Sequence, residues 1–335
     1  MKQVSLLSVC AVAVLALGTG CKKLPGGLGG LPGGSSKVDP NTCGNYAVSD
    51  AGRKLQNFLQ ATVELEARVT EVTRPLRTSC ETMGRKIGMM DAEFKGETKD
   101  VCAAVYGKIR ENLKVSIKSQ EALVVKFKPA VCRANIDAAA EAAASCEGKA
   151  RADISATCSG TCKGTCGGTC AGQCNGKNSS GQCNGECNGQ CSGSCSGGCD
   201  GDANVEASME CKAKASVRAS IDVQCDPPQL SIDVQKPMII DSSKAEATLA
   251  ALREGLPEIF SIEARLRPLK GAVTVWSASA GALASSASEL AGSFKDQALC
   301  IAGQLRAAAS MVGNIKAEVN VSVEVSASAH GTIGG

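Results

Sequence analysis

Aromatic residues are scarce in this chain, with five Phe, two Tyr and one Trp among 335 residues, and histidine occurs once, at His330. So few rings exclude a nucleic-acid surface built on base stacking, and a formal net charge of +3 excludes a basic groove. The Lys and Arg residues read instead as a solvated face. Neither G-x-x-x-x-G-K-[ST] nor a strand-bound G-x-G-x-x-G occurs, and no C-x-x-C stands beside a βαβ pattern. No catalytic residue, cofactor, nucleic-acid partner or small-molecule substrate is therefore expected, and the chain reads as non-enzymatic. Beyond the N-terminus, no apolar run is long enough for a transmembrane helix.

Cysteine is what the chain has in quantity, 20 in all. Ten recur every fourth residue in two blocks, each followed two places later by glycine, as C-x-G-x. Folding the chain about Asn178 and Ser179 brings Cys174 to Cys183, Cys170 to Cys187, Cys166 to Cys191, Cys162 to Cys195 and Cys158 to Cys199. The same centre pairs Cys146 with Cys211 and Cys132 with Cys225. Directly opposed residues of an antiparallel pair have Cα atoms about 4.5 or 5.5 Å apart, within the roughly 4.4–6.8 Å that a disulfide accepts. Neighbouring cysteines on one extended arm are about 13 Å apart and cannot bridge. A helical arm would carry a glycine every fourth residue at about 1 kcal/mol each, so the arms are expected to be strands, stapled rung by rung. The glycines leave room for the disulfides and for close backbone approach.

Thiolates spaced C-x3-C also fall in the range that binds zinc, and with His330 far off in the tail such a site would be all-thiolate. A metal cluster does not demand mirror symmetry, however, and an exported chain meets oxidants, so disulfides are expected and no metal is. Cys43, Cys80, Cys102 and Cys300 remain, with three connectivities open to them; Cys80 with Cys102 and Cys43 with Cys300 is the expected pairing.

Export is read from the N-terminus. Met1–Gln3 carries one Lys, Val4–Leu17 is an apolar run too short to span a bilayer comfortably, and Leu17-Gly18-Thr19-Gly20-Cys21 follows. These residues resemble the lipobox of bacterial lipoproteins, with Gly18 where Leu, Val or Ile is usual. The resemblance implies that Cys21 is diacylated and becomes the mature N-terminus. Lys22, rather than aspartate, after the cysteine implies sorting to the outer membrane, facing the periplasm or the surface. The Gly/Pro-rich residues 22–42 read as a flexible tether.

The expected fold class is α+β, an antiparallel bundle of long helices from which a very long disulfide-laddered β-hairpin projects. Its divisions are 1–20 signal peptide, 21–42 lipidated cysteine and tether, 43–131 first helical half, 132–225 hairpin, 226–241 strand and linker, 242–316 second helical half and 317–335 C-terminal strand and tail. In the first half, Leu55, Phe58, Thr62, Leu65, Val69, Val72, Leu76, Cys80 and Met83 follow spacings of three and four, and Pro75 is expected to kink the helix or divide it in two. A second helix is expected from Glu97 to Lys128. The second half has breaks at Pro257, Pro268 and Gly271 and echoes the first, with Arg267-Pro268-Leu269-Lys270 matching Arg74-Pro75-Leu76-Arg77. Between the halves the period changes to two: Ala134 to Ala156 on one arm and Ala203 to Val223 on the other alternate small or apolar residues with polar ones. The run Asp137–Ser145, DAAAEAAAS, argues for helix instead, but the Val and Ile of the facing arm favour strand. Leu230, Ile232 and Val234, and Val319 to Ala329, alternate likewise and are expected to widen the ribbon's base.

These features point to an envelope lipoprotein held to the membrane by its lipid, with the ribbon as stalk, spacer or assembly element. The ribbon's open edges and flat Cys/Gly face suggest a homo-oligomer or an envelope protein partner. A subunit of an oligomeric conduit and a thiolate metal store are the alternatives.

Overall fold

The computed structural model of the protein describes residues 37–119, 122–177, 183–285, 294 and 297–333. The expected signal peptide, Cys21 and most of the expected tether lie outside the described residues.

The apolar stripe of the first half becomes the buried face of α1 (Asp50–Lys86), whose N-cap Ser49 accepts from Gly52 N–H. The chain turns at Gly96 and enters α2 (Thr98–Ser116), where Glu97 and Asp100 cap the first turn. The second half repeats the order with α5 (Ser242–Ser285) and α6 (Ala298–Ile333). These four helices share one core, with Phe58, Leu65, Leu76, Tyr106, Ile109, Leu256, Phe260 and Trp276 all at most 2% exposed. The expected proline breaks do not divide them: α1 continues across Pro75 and α5 across Pro257 and Pro268. Buried Val72 and Leu76, and Leu266 and Leu269, grip the core on either side of a proline, and packing outweighs the lost backbone hydrogen bond.

The second helix ends at Ser116, not Lys128. β1 (Leu123–Lys128) follows and pairs antiparallel with β7 (Gln229–Val234), Val125 facing Ile232. Alternation of Leu123, Val125 and Phe127 toward the helices against Lys126 and Lys128 suits a strand with one face covered. β7 is thus a strand as expected, but its sheet is separate from the ribbon's. The expected C-terminal strand is instead the second half of α6. Val319, Ser322, Ser326 and Ala329 are buried at spacings of three and four, with Val325 on the same face, so packing against the bundle overrides the β preference of the valines.

The ribbon is shorter than expected. β2 (Val131–Asn135) leads into α3 (Ile136–Glu147), then come β3 (Ala156–Lys177), β4 (Cys183–Cys199), β5 (Asp202–Val205), α4 (Met209–Ile221) and β6 (Gln224–Asp226). Residues 137–145 are therefore helical, and so is most of the facing arm. Asn135 accepts from Ala138 N–H at the start of α3, Gly148 ends it in the left-handed conformation, and the alanines between are the best helix formers. The mirror pairing survives the change: Cys146 of α3 is bonded to Cys211 of α4, and Cys132 of β2 to Cys225 of β6.

The period of two in α4 has its own cause. Ala213 and Val217 join the four-helix core, while Ala215 and Ala219 join a second core shared with α3 and the ribbon. Two helical stripes, each spaced by four and offset by two, imitate a strand in sequence. The helix is a wall between two cores.

Candidate functional site

Inside the ribbon the ten cysteines form a column of five cystines, with Cα separations of 5.8, 6.1, 6.1, 5.9 and 5.8 Å from Cys158–Cys199 to Cys174–Cys183. The near-constant separation means that one cross-section is repeated along the element. Cys80–Cys102 and Cys43–Cys300 bridge the helical part.

Strand register departs from the expected flat ladder. Bonded cysteines are not the cross-strand neighbours: Cys162 faces Cys199, Cys166 faces Cys195, Cys170 faces Cys191 and Cys174 faces Cys187. A second set of pairings runs alongside, in which Gly160 faces Cys191 and Gly168 faces Cys183. Thr165, Cys166, Gly167 and Gly168 each pair with β4 twice, Thr165 with both Ser196 and Glu186. The two strands are therefore wound around each other until both edges of their central stretch are hydrogen-bonded, and each cystine spans the interior of the coil. Two-stranded ribbons twist more strongly than larger sheets, and among the described side chains the large majority of those buried in the coil are cysteines, which are small enough to let it close. The flat Cys/Gly face and open edges expected from sequence are absent from that stretch. Cys158, Cys162, Cys166, Cys191, Cys195 and Cys199 are buried at 3% exposure or less, while Cys170 and Cys174 toward the tip are half-buried.

The glycines permit the winding. A Cβ on Gly164 would lie 1.9 Å from the carbonyl oxygen of Ser196, and one on Gly185 would lie 1.9 Å from that of Asn175. Backbone occupies the space where other residues carry a side chain.

At the base the edges are covered by other strands. β5 pairs with the start of β3, Ala156 facing Val205, and β2 pairs with the end of β4, Ala134 facing Cys199. Two carboxylates, unforeseen as site residues, fix the junction: Asp200 Oδ1 accepts from Thr161 N–H (2.6 Å) and Asp137 Oδ2 from Gly197 N–H (3.0 Å). Asp200 was legible only as the acid that follows the last cysteine of the repeat.

A charged hub ties this base to the helical body. Arg53 of α1 donates to the carbonyls of Cys146 and Glu147 at the C-terminus of α3, where a cation also meets the helix dipole favourably. Glu147, its side chain 7% exposed, accepts from Ser208 N–H at the start of α4 (2.6 Å) and from Lys54 Nζ (3.0 Å). Burial pushes its carboxyl up, but Ser208 and Lys54 outweigh this and hold it at about 2, against an ordinary 4.5. A depressed carboxylate contributes stability that is present above about pH 4.5 and is lost as pH falls through the folded value, a contribution on the order of 1–2 kcal/mol after solvent screening. Glu147→Gln should lower stability at neutral pH and flatten its decline between about pH 5 and pH 2. Chemical denaturation across that range checks it; an unchanged acid limb in the variant would remove Glu147 from the linkage.

Among the described residues, no three His, Cys, Asp or Glu side chains are placed to hold a metal, and no helix is long and apolar enough to cross a membrane. A cleft of about 220 Å³ beside the ribbon base is lined mainly by small residues such as Ala134, Ala203, Ser216 and Gly271. A groove of about 540 Å³ between α1, α2 and α6 carries Arg74, Arg77, Glu97 and Glu318. Glu318 is occupied there, accepting from the Thr73 hydroxyl (2.5 Å), and Arg77 is held by Glu81 and by the carbonyls of Phe94 and Gly96. In comparisons with protein families, with curated proteins and with solved structures, nothing matched this chain.

Proposed function

We propose that the chain is a non-enzymatic lipoprotein of the cell envelope, anchored at Cys21, whose helical body presents the cystine coil as a rigid spacer or assembly element. The observation that carries this reading is the column itself: five cystines in series in an element with almost no other interior, a construction that suits an oxidising compartment. The lipobox-like N-terminus supplies the route there. Stacking on a second copy through a flat cystine face loses its support, because the cystines lie inside the coil; a protein partner would meet the coil's outer, polar residues. The metal-store reading is weakened because sulfurs in cystine offer no thiolate. A subunit of an oligomeric conduit that joined its neighbours through open ribbon edges loses that support, because both edges of the coil's central stretch are hydrogen-bonded within the chain.

Cys21→Ser is the test. The variant should lose incorporation of labelled fatty acid and move from the membrane to the soluble envelope fraction. Fatty-acid labelling and membrane retention unchanged in the variant would overturn the anchor, and recovery of the wild-type chain in the cytosol would overturn the envelope assignment.

A further inference from the structure

Eight of the ten cysteines of the coil, all but Cys158 and Cys183, stand in strand register with a cysteine that is not their disulfide partner. Cys174 is bonded to Cys183 but stands in strand register with Cys187. Cys170 is bonded to Cys187 and stands in register with Cys191; Cys166 is bonded to Cys191 and faces Cys195; Cys162 is bonded to Cys195 and faces Cys199. Cross-strand neighbours point to the same face and have Cα atoms about 4.5–5.5 Å apart, a span that a disulfide accepts. The column thus holds a second set of four bridgeable pairs, displaced by one rung and leaving out Cys158 and Cys183, that needs no change in strand register.

From this juxtaposition we propose that the column is a thiol–disulfide relay, able to carry a free thiol from the tip of the coil to its base. A dithiol reductant from outside opens the tip rung from its half-buried side, since Cys183 is 3% exposed and Cys174 more open: its thiolate attacks Cys174 of the Cys174–Cys183 bond, the mixed disulfide is resolved by its second thiol, and Cys174 and Cys183 are left as thiols while the reductant becomes a disulfide. All later steps conserve oxidation state. The Cys174 thiolate attacks Cys187, the 174–187 bond forms, the 170–187 bond breaks and Cys170 takes the negative charge and then a proton. Cys170 does the same at Cys191, Cys166 at Cys195 and Cys162 at Cys199, which releases Cys158. Four disulfides remain in the displaced set, with thiols at Cys183 and Cys158. The pair of electrons has entered at the tip and one thiol now stands beside Ala139, Ala143 and Val205 in the core at the base. A neutral thiol is at home in such apolar surroundings.

The mechanism leaves a signature in which strand is labelled. In the full-length Cys183→Ser protein, Cys174 has no partner, and exchange along the column confines the odd thiol to β3. Alkylation followed by peptide mapping should find label at Cys170, Cys166, Cys162 and Cys158 as well as Cys174, with the displaced links 174–187 and 170–191 present. In Cys158→Ser the odd thiol starts at Cys199 and should be found only on β4, out to Cys183. Label confined to Cys174 in the first variant and Cys199 in the second would show a locked column and overturn the relay. Label on both strands in either variant would show scrambling through unfolding and overturn it equally. Should a variant fail to accumulate, limited dithiothreitol on the wild-type protein gives the same reading. Thiols at Cys183 and on β3 toward Cys158 support the relay, and thiols only at Cys174 and Cys183 refute it.

Discussion

Reducing the protein without denaturant should unwind the coil and leave the helical body folded. Among the described residues almost all the buried side chains of the coil are those of its cysteines, and the sequence between them is mainly Gly, Ser, Thr, Asn and Gln with few apolar groups, so once the bridges are gone little holds two wound strands together. A bridge typically contributes about 2–4 kcal/mol, and less for each rung that adds only a short loop. The helical body has its own core of Leu, Val, Ile and Phe, from Leu55 to Val325, and does not depend on the column. Hydrogen exchange followed by mass spectrometry should show protection lost over Ala156–Lys177 and Cys183–Cys199 and kept over α1 and α5. Protection that persists in fully reduced β3 and β4 would mean that the hydrogen-bonded winding sustains itself and that the cystines are secondary.

Trp276→Ala should produce the largest loss in the helical body. The ring is fully buried, stacks on Phe58 at 6.5 Å and donates from Nε1 to the Thr62 hydroxyl (2.9 Å), which in turn donates to the Phe58 carbonyl. It thereby binds α5 to α1 at the centre of the bundle. Truncation removes the ring, leaves a cavity and deprives Thr62 of a donor, at a cost of about 3–5 kcal/mol. The denaturant midpoint of helix loss measures it, with Trp276→Phe expected to recover part of the difference. A loss below about 1 kcal/mol would mean that neighbouring side chains collapse into the space.

The cysteine pairing was legible because it is a matter of symmetry: Cys174 and Cys183 lie at equal distances from the turn, and every rung follows from the first. What those pairs look like in space was not. Two antiparallel helices, α3 and α4, keep the same mirror order as two strands, so the pairing of Cys146 with Cys211 was indifferent to the error in secondary structure. The alternation that caused the error was real, but Ala213 and Ala215 alternate between two cores rather than between core and water. In α6 the valines from Val319 to Val325 looked like a strand, but the helix buries Val319 and Val325 and leaves Val323 41% exposed. The winding of β3 and β4 escaped notice because C-x-G-x has the same period in a flat ribbon and in a closed coil. Nor did any pattern mark Glu147, whose partners Lys54 and Ser208 are remote in sequence.

Drawn as arcs over the sequence, the nine bridges never cross. Cys43–Cys300 encloses all the others; Cys80–Cys102 stands alone within it; Cys132–Cys225 encloses Cys146–Cys211, which encloses the five rungs in order down to Cys174–Cys183. A chain delivered N-terminus first would close Cys80–Cys102 as soon as its second cysteine appears, then wait with five thiols on β3 until Cys183 arrives. From there each newly delivered cysteine finds its mate next in line, and the last arc shuts with Cys300. No pairing has to be undone to admit the next, so oxidation can keep pace with delivery.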